Sequence, residues 1–106
     1  MVEPSGLGKK LGEIRERHGL SLLAIKKAGG PDPSYTSRIE HGKINPKAAN
    51  VAKLARAIAA AKGWPLKRLW ELLDELFTEA GLAMPEKPTE SMIRKKFREL
   101  LEQRQL

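Results

Sequence analysis

The 106-residue sequence predicts an all-α protein, a compact bundle of about five helices followed by a separate amphipathic helix near the C-terminal end. Three observations carry this expectation. Apolar residues recur at three- and four-residue spacing along most of the chain. Gly and Pro fall where helices open and close, and no stretch alternates apolar and polar residues as a half-buried strand would.

The first helix is expected over about 7–18, with Leu7, Leu11 and Ile14 on one face and Gly19 as its stop. Ser21 is placed to cap a short second helix from Leu22 to about Ala28, ended by Gly29-Gly30. Asp32-Pro33 supplies a side-chain acceptor at the cap and a proline at the first helical position, where no N–H is needed, and so opens a third helix that stops at Gly42. Asn45-Pro46 repeats the device and is expected to open a fourth helix running to about Lys62, with Val51, Leu54, Ala55 and Ile58 on one face and Gly63 after it. The fifth helix follows Pro65, with Leu66, Leu69, Trp70, Leu73, Leu76 and Phe77 on one stripe until Gly81. Residues 1–81 thus form one unit, and 82–89, with two prolines and little periodicity, read as a linker. Thr89 caps a last helix from Glu90 to about Arg104, within the segment 90–106.

Charge is distributed unevenly. Residues 1–62 hold twelve Lys and Arg against five Asp and Glu, whereas 63–106 hold eight of each, so the whole net charge of +7 belongs to the N-terminal part. A positive face of this kind suits a phosphate backbone, although charge alone fits DNA, RNA, an anionic membrane or a merely solvated surface equally well. With no cysteine there is no disulfide and no thiolate site. No metal and no cofactor are expected. No apolar run suits a signal sequence or a membrane span, which makes the cytoplasm the expected location. No Ser-His-Asp order, carboxylate pair or glycine-rich phosphate loop stands out, since the helix after Gly29-Gly30-Pro31 has no phosphate-gripping Lys, and an enzyme is not expected.

The informative stretch is Leu20 to Pro46, LSLLAIKKAGGPDPSYTSRIEHGKINP, in which two short helices meet across a Gly-containing turn. Such a pair lets the second helix enter the major groove, about 12 Å wide, while the first lies across the backbone. Here the sequence resembles the phage-repressor and Cro-like helix-turn-helix family, also called the xenobiotic-response-element type. Ser34-Tyr35-Thr36-Ser37-Arg38-Ile39-Glu40-His41-Gly42, followed by Asn45-Pro46, is similar to that family's recognition helix and the loop after it. The resemblance extends over about Leu7 to Leu73.

It implies that Pro33, Ser34, Ser37 and Arg38, early and exposed in the third helix, face base edges. Arg38 is the expected direct reader, because a guanidinium can form a bidentate pair with guanine O6 and N7; the alternative is a phosphate contact or an ion pair with Glu40 or a neighbouring helix. Tyr35 is assigned a backbone contact through its hydroxyl, with packing at the core edge as the alternative. Lys43, Asn45 and Lys47 lie in the loop the family lays along the sugar-phosphate backbone, and the start of the fourth helix adds N–H donors. Lys9, Lys10 and Arg15 on the first helix and Lys26 and Lys27 on the second could add phosphate contacts, of which Lys10 and Lys27 are the expected ones. Ile39 and Glu40 read as structural, the latter satisfying a loop or an arginine.

The departures from the family lie mostly in the second helix. Leu22 stands where a Gln usually contacts phosphate. Without a gap, Lys26 falls on a position that normally holds a small residue, and Pro31 on an apolar turn position. A one-residue shift that puts Leu23-Ala24 at the packing positions and lengthens the turn through Gly29-Gly30-Pro31 is the favoured repair. Thr36 replaces an aliphatic core residue, and Pro33 a polar base-contacting one.

Elsewhere, His18 and His41 sit at helix ends where partial positive charge is favourable. Trp64, Trp70 and Phe77 read as core filling. Ile93, Phe97, Leu100 and Leu101 give the last helix an apolar side that a chain this size leaves exposed, which points to a homodimer interface or a protein partner held by the C-terminal helices. The fifth helix is acidic outside (Glu71, Asp74, Glu75, Glu79) and the last basic (Arg94, Lys95, Lys96, Arg98), so the two could pair within one subunit or across two. The expected function is sequence-specific binding of double-stranded DNA by a dimeric transcription regulator, with half-sites about 34 Å apart. Repression is implied by the family resemblance. The competing reading is a protein-interaction module, a bridging-factor coactivator or an antitoxin, that touches DNA weakly; RNA is disfavoured because the five aromatic residues form no stacking platform.

Overall fold

A computed structural model of the chain describes residues 6–84, 94–95 and 98–102. Five helices are laid out in the expected order, α1 (Gly6–Arg17), α2 (Leu22–Lys27), α3 (Pro33–Glu40), α4 (Ala48–Lys62) and α5 (Leu66–Ala80), and there is no strand among the described residues. Residues 94–95 and 98–102 are helical as well, within the expected last helix. None of the described helices is long and apolar enough to cross a membrane.

The helices enclose one core. Leu7, Leu11 and Ile14 of α1, Ile25 of α2, Ile39 of α3, Val51, Leu54 and Ile58 of α4, and Leu72, Leu73, Leu76 and Phe77 of α5 are buried together. α1 packs on α3 and α5, α2 on α3 and α4, and α4 on α5. The alanines of α4 allow close approach: a Cβ on Gly30 would lie 3.0 Å from that of Ala57 and closer still to Ile25, so the turn between α2 and α3 presses onto α4. Each helix closes with a glycine at positive φ whose N–H, with that of the next residue, returns to carbonyls of the last turn. In α2 the pair of bonds comes from Gly29 and Gly30.

Several local expectations are corrected. Ser21 does cap α2, accepting from the Ala24 N–H at 3.0 Å, but Asp32 makes no capping bond to α3 and its carboxylate lies 3.5 Å from the Lys26 ammonium instead. Asn45-Pro46 does not open α4. Its cap is Lys47, because Pro46 is buried under the loop and the chain stays extended through Lys47. On α5 the buried stripe passes through Leu72 and leaves Leu66 60% exposed. The register shift that would bury Leu23 is overturned as well. Leu23 is 51% exposed, while Ile25 and Pro31 are buried and Lys26 points into solvent, so the ungapped register is the one that packs. Leu82 and Met84, placed in the linker by the sequence, pack partly buried against the core.

Candidate nucleic-acid interface

The site begins with how α3 is held. Thr36 and Ile39 are fully buried, so the eight-residue helix has one inward side. Two glycines of α1, one turn apart, let that helix come against the end of α3. A Cβ on Gly8 would collide with the Ile39 carbonyl oxygen and lie 3.0 Å from that of Glu40, and one on Gly12 would lie 3.4 Å from Glu40 Oε1. Arg15, a turn further along the same face, donates from Nε and Nη2 to the two carboxylate oxygens of Glu40, each at 2.9 Å, and from Nη1 to the Leu20 carbonyl at 3.2 Å. The hydrogen bonds to Glu40 raise the Arg15 pKa above its ordinary value. Arg15 is therefore a fastener between α1, α3 and the loop before α2, and its charge is spent inside the fold.

With the inner side fixed, the outer side of α3 presents Ser34 and Arg38, both exposed and one turn apart, with Pro33 and Ser37 half-buried beside them. Arg38 takes no part in the Glu40 pair, which removes one alternative for it. Tyr35 packs half-buried on the core, and its hydroxyl oxygen accepts from Asn50 Nδ2 at 3.0 Å, which leaves the phenolic O–H able to donate. His41 caps the helix: its Nδ1 donates to the Ser37 carbonyl at 2.7 Å, with the Ser37 hydroxyl 3.4 Å away.

The chain leaves α3 through Gly42 at φ 72°, a left-handed conformation that a side chain would strain, with Lys43 N–H returning to the Arg38 carbonyl at 2.8 Å. The loop then alternates. Ile44 and Pro46 turn inward, whereas Lys43, Asn45 and Lys47 are exposed, so all three expected backbone contacts lie on the outer side. Lys47 then begins α4 with no side-chain cap, leaving first-turn N–H groups of a fifteen-residue helix available to an acceptor. Lys27 is exposed on α2. Lys10 is not gathered with the others. It lines an open depression with Gly6, Lys9, Glu13 and Glu79, about half a turn round α1 from the Gly8 and Gly12 side that meets α3.

A second cluster lies where α1 meets the α4–α5 turn. His18 stands edge-on to Trp64, ring centroids 4.9 Å apart, and the Arg68 guanidinium lies 4.5 Å from the Trp64 ring centre. Trp64 packs partly buried against the core, as expected, and its ring also meets the His18 ring and the Arg68 cation. Burial, and then repulsion from Lys62, Arg68 and Arg17, lower the His18 pKa from 6.5. The favourable end-of-helix charge expected for His18 is outweighed by this burial and repulsion.

Sequence reasoning left two groups without a specific partner. The Arg15–Glu40 and Tyr35–Asn50 contacts join residues far apart in the chain, and an arginine in the first helix with a glutamate closing the third is the signal that could have paired them. The Thr36 hydroxyl, fully buried, has no hydrogen-bond partner. Of the residues assigned to an apolar interface, Leu100 and Leu101 are exposed, and Ile93 and Phe97 lie outside the described residues.

Two short helices with the second projecting an exposed polar side, a cationic loop and an uncapped helix start define a DNA-binding helix-turn-helix regulator. Residues 11–59 match the profile of a helix-turn-helix family of the phage-repressor and Cro-like type. No curated protein and no solved structure matched the chain.

Proposed function

We propose that the protein is a sequence-specific regulator of transcription, acting as a repressor, that binds a dyad-symmetric DNA site as a pair of identical chains. α3 lies in the major groove, Arg38 reads guanine, and Ser34, Ser37 and Pro33 meet neighbouring base edges. Lys43, Asn45, Lys47 and Tyr35, with Lys27 on α2, fix the register on the phosphates. The observation that supports this most directly is the division of α3 and its loop into an anchored side, Thr36, Ile39, Ile44 and Pro46, and an exposed side carrying Ser34, Arg38, Lys43, Asn45 and Lys47. A merely solvated basic surface needs no such alternation.

Selection of bound sequences from a random duplex library at near-physiological salt tests the reading. Enrichment of an inverted repeat with half-sites about one helical turn apart is expected. Absence of enrichment, with binding that disappears as salt rises, would leave only electrostatic affinity and overturn it.

A further inference from the structure

We infer that Asn50 is a positioning residue for DNA binding: its amide occupies the Tyr35 hydroxyl oxygen and so leaves the phenolic O–H free to donate to a phosphate of the DNA backbone. The inference rests on the reading of the chain as a DNA-binding regulator, and adds to it a residue that acts only through Tyr35.

Tyr35 stands on α3 between the exposed Ser34 and the buried Thr36, with its ring packed half-buried against the core. Asn50 is the third residue of α4, and its backbone N–H is already bound to the Lys47 carbonyl at 3.0 Å. Its side-chain Nδ2 donates to the Tyr35 oxygen at 3.0 Å, a part-buried bond that ties the first turn of α4 to α3 across the loop carrying Lys43, Asn45 and Lys47. The ring is thereby held with its hydroxyl at the junction of α3 and the helix that Lys47 opens.

The direction of that bond decides what the hydroxyl can do. A phenol has one hydrogen to give. An acceptor at position 50 consumes that hydrogen inside the fold, whereas a donor there, as Asn50 Nδ2 is, leaves it available. No group among the described residues accepts it. A hydroxyl that already accepts one hydrogen bond is also polarised toward giving a stronger one. The lysines of the loop are donors only, so the acceptor must come from outside, and a phosphate oxygen drawn to those lysines supplies it. The contact carries no charge of its own, so it fixes orientation without releasing a counterion.

Binding of the full chain to a fluorescein-labelled mixed-sequence duplex, followed by fluorescence anisotropy across a salt series, tests the assignment. Tyr35→Phe and Asn50→Ala are each expected to weaken binding about tenfold, with the slope of log affinity against log salt unchanged. The double variant is expected to bind no more weakly than Tyr35→Phe alone. Asn50→Asp separates positioning from simple bracing, and carries the test even where Asn50→Ala does not fold. Its carboxylate is well tolerated in the first turn of a helix and keeps a hydrogen bond to Tyr35, but takes the O–H as donor. The added charge weakens binding in any background. With the Tyr35 hydroxyl present the phosphate bond is lost as well, so the effect is expected to be about tenfold larger than in the Tyr35→Phe background. An effect of equal size in both backgrounds, or a Tyr35→Phe protein that binds as wild type does, overturns the inference and leaves the DNA reading standing. A wild-type chain that fails to bind the duplex even at low salt overturns the DNA reading itself, and this inference with it.

Discussion

Arg15 and Glu40 form a two-pronged ion pair across 25 residues of sequence, with both N–H···O distances at 2.9 Å and both side chains largely covered. The pair fixes the end of α3 against α1, and hence the angle at which Ser34 and Arg38 leave the surface. Removing one partner strands the other in a poorly hydrated place. Arg15→Ala and Glu40→Ala are each expected to cost about 2–3 kcal/mol, and a double-mutant cycle read by urea unfolding should return a coupling of about 1–3 kcal/mol. Additive losses would mean that the pair only decorates a geometry set by Gly8 and Gly12.

Thr36 offers the opposite case, a change that should strengthen the fold. Its hydroxyl is buried without a partner at a position packed from all sides. Valine keeps the branched shape and removes the unsatisfied group, so Thr36→Val is expected to raise unfolding stability by about 1 kcal/mol with the α3 backbone unmoved. A loss of stability in thermal unfolding would show that the hydroxyl is hydrogen-bonded in solution.

Signals confined to a few residues were legible in the sequence, and those set by packing were not. Asp32-Pro33 marked the start of α3 because proline's fixed φ acts locally. The same dipeptide logic misplaced α4, since Pro46 is buried by the loop's own alternation and Lys47 became the cap. The α2 register went wrong for a related reason. Leu23 looked like the packing residue by hydrophobicity, but Gly30, which has no room for a Cβ against Ile25 and Ala57, draws the turn inward and buries Ile25 and Pro31 instead. On α5, Leu66 fits the stripe by spacing, yet it is the first residue of the helix and stays 60% exposed, while Leu72 fills the core.

His18 should make stability depend on pH. Its folded-state pKa is lowered from 6.5, by partial burial first and by Lys62, Arg68 and Arg17 after that, so the folded protein holds this proton less tightly than the unfolded chain. Its neutral form is accommodated fully above about pH 6.5. The stability associated with it declines as pH falls below that value and through the lower folded pKa. His18→Gln is expected to flatten the melting temperature between about pH 7 and pH 5 relative to wild type. Equal slopes in the two proteins would remove His18 as the source.

Arg38 and Lys43 separate reading from holding. Both are exposed, five residues apart, one on the outer side of α3 and the other in the loop that follows Gly42. A guanidinium paired to a guanine edge contributes about 1–3 kcal/mol of discrimination at a single base position. A lysine on a phosphate contributes the same to every sequence and releases about one counterion. Arg38→Ala should therefore abolish preference at one position in each half-site, while Lys43→Ala should weaken all sequences alike and reduce the slope of log affinity against log salt by about one per chain. The two variants are to be compared on the selected site and on a set of single-base changes, each across a salt series. If Arg38→Ala lowers affinity uniformly and shifts the slope as Lys43→Ala does, its guanidinium sits on the phosphates and the discrimination must come from Ser34, Ser37 or the shape of the DNA.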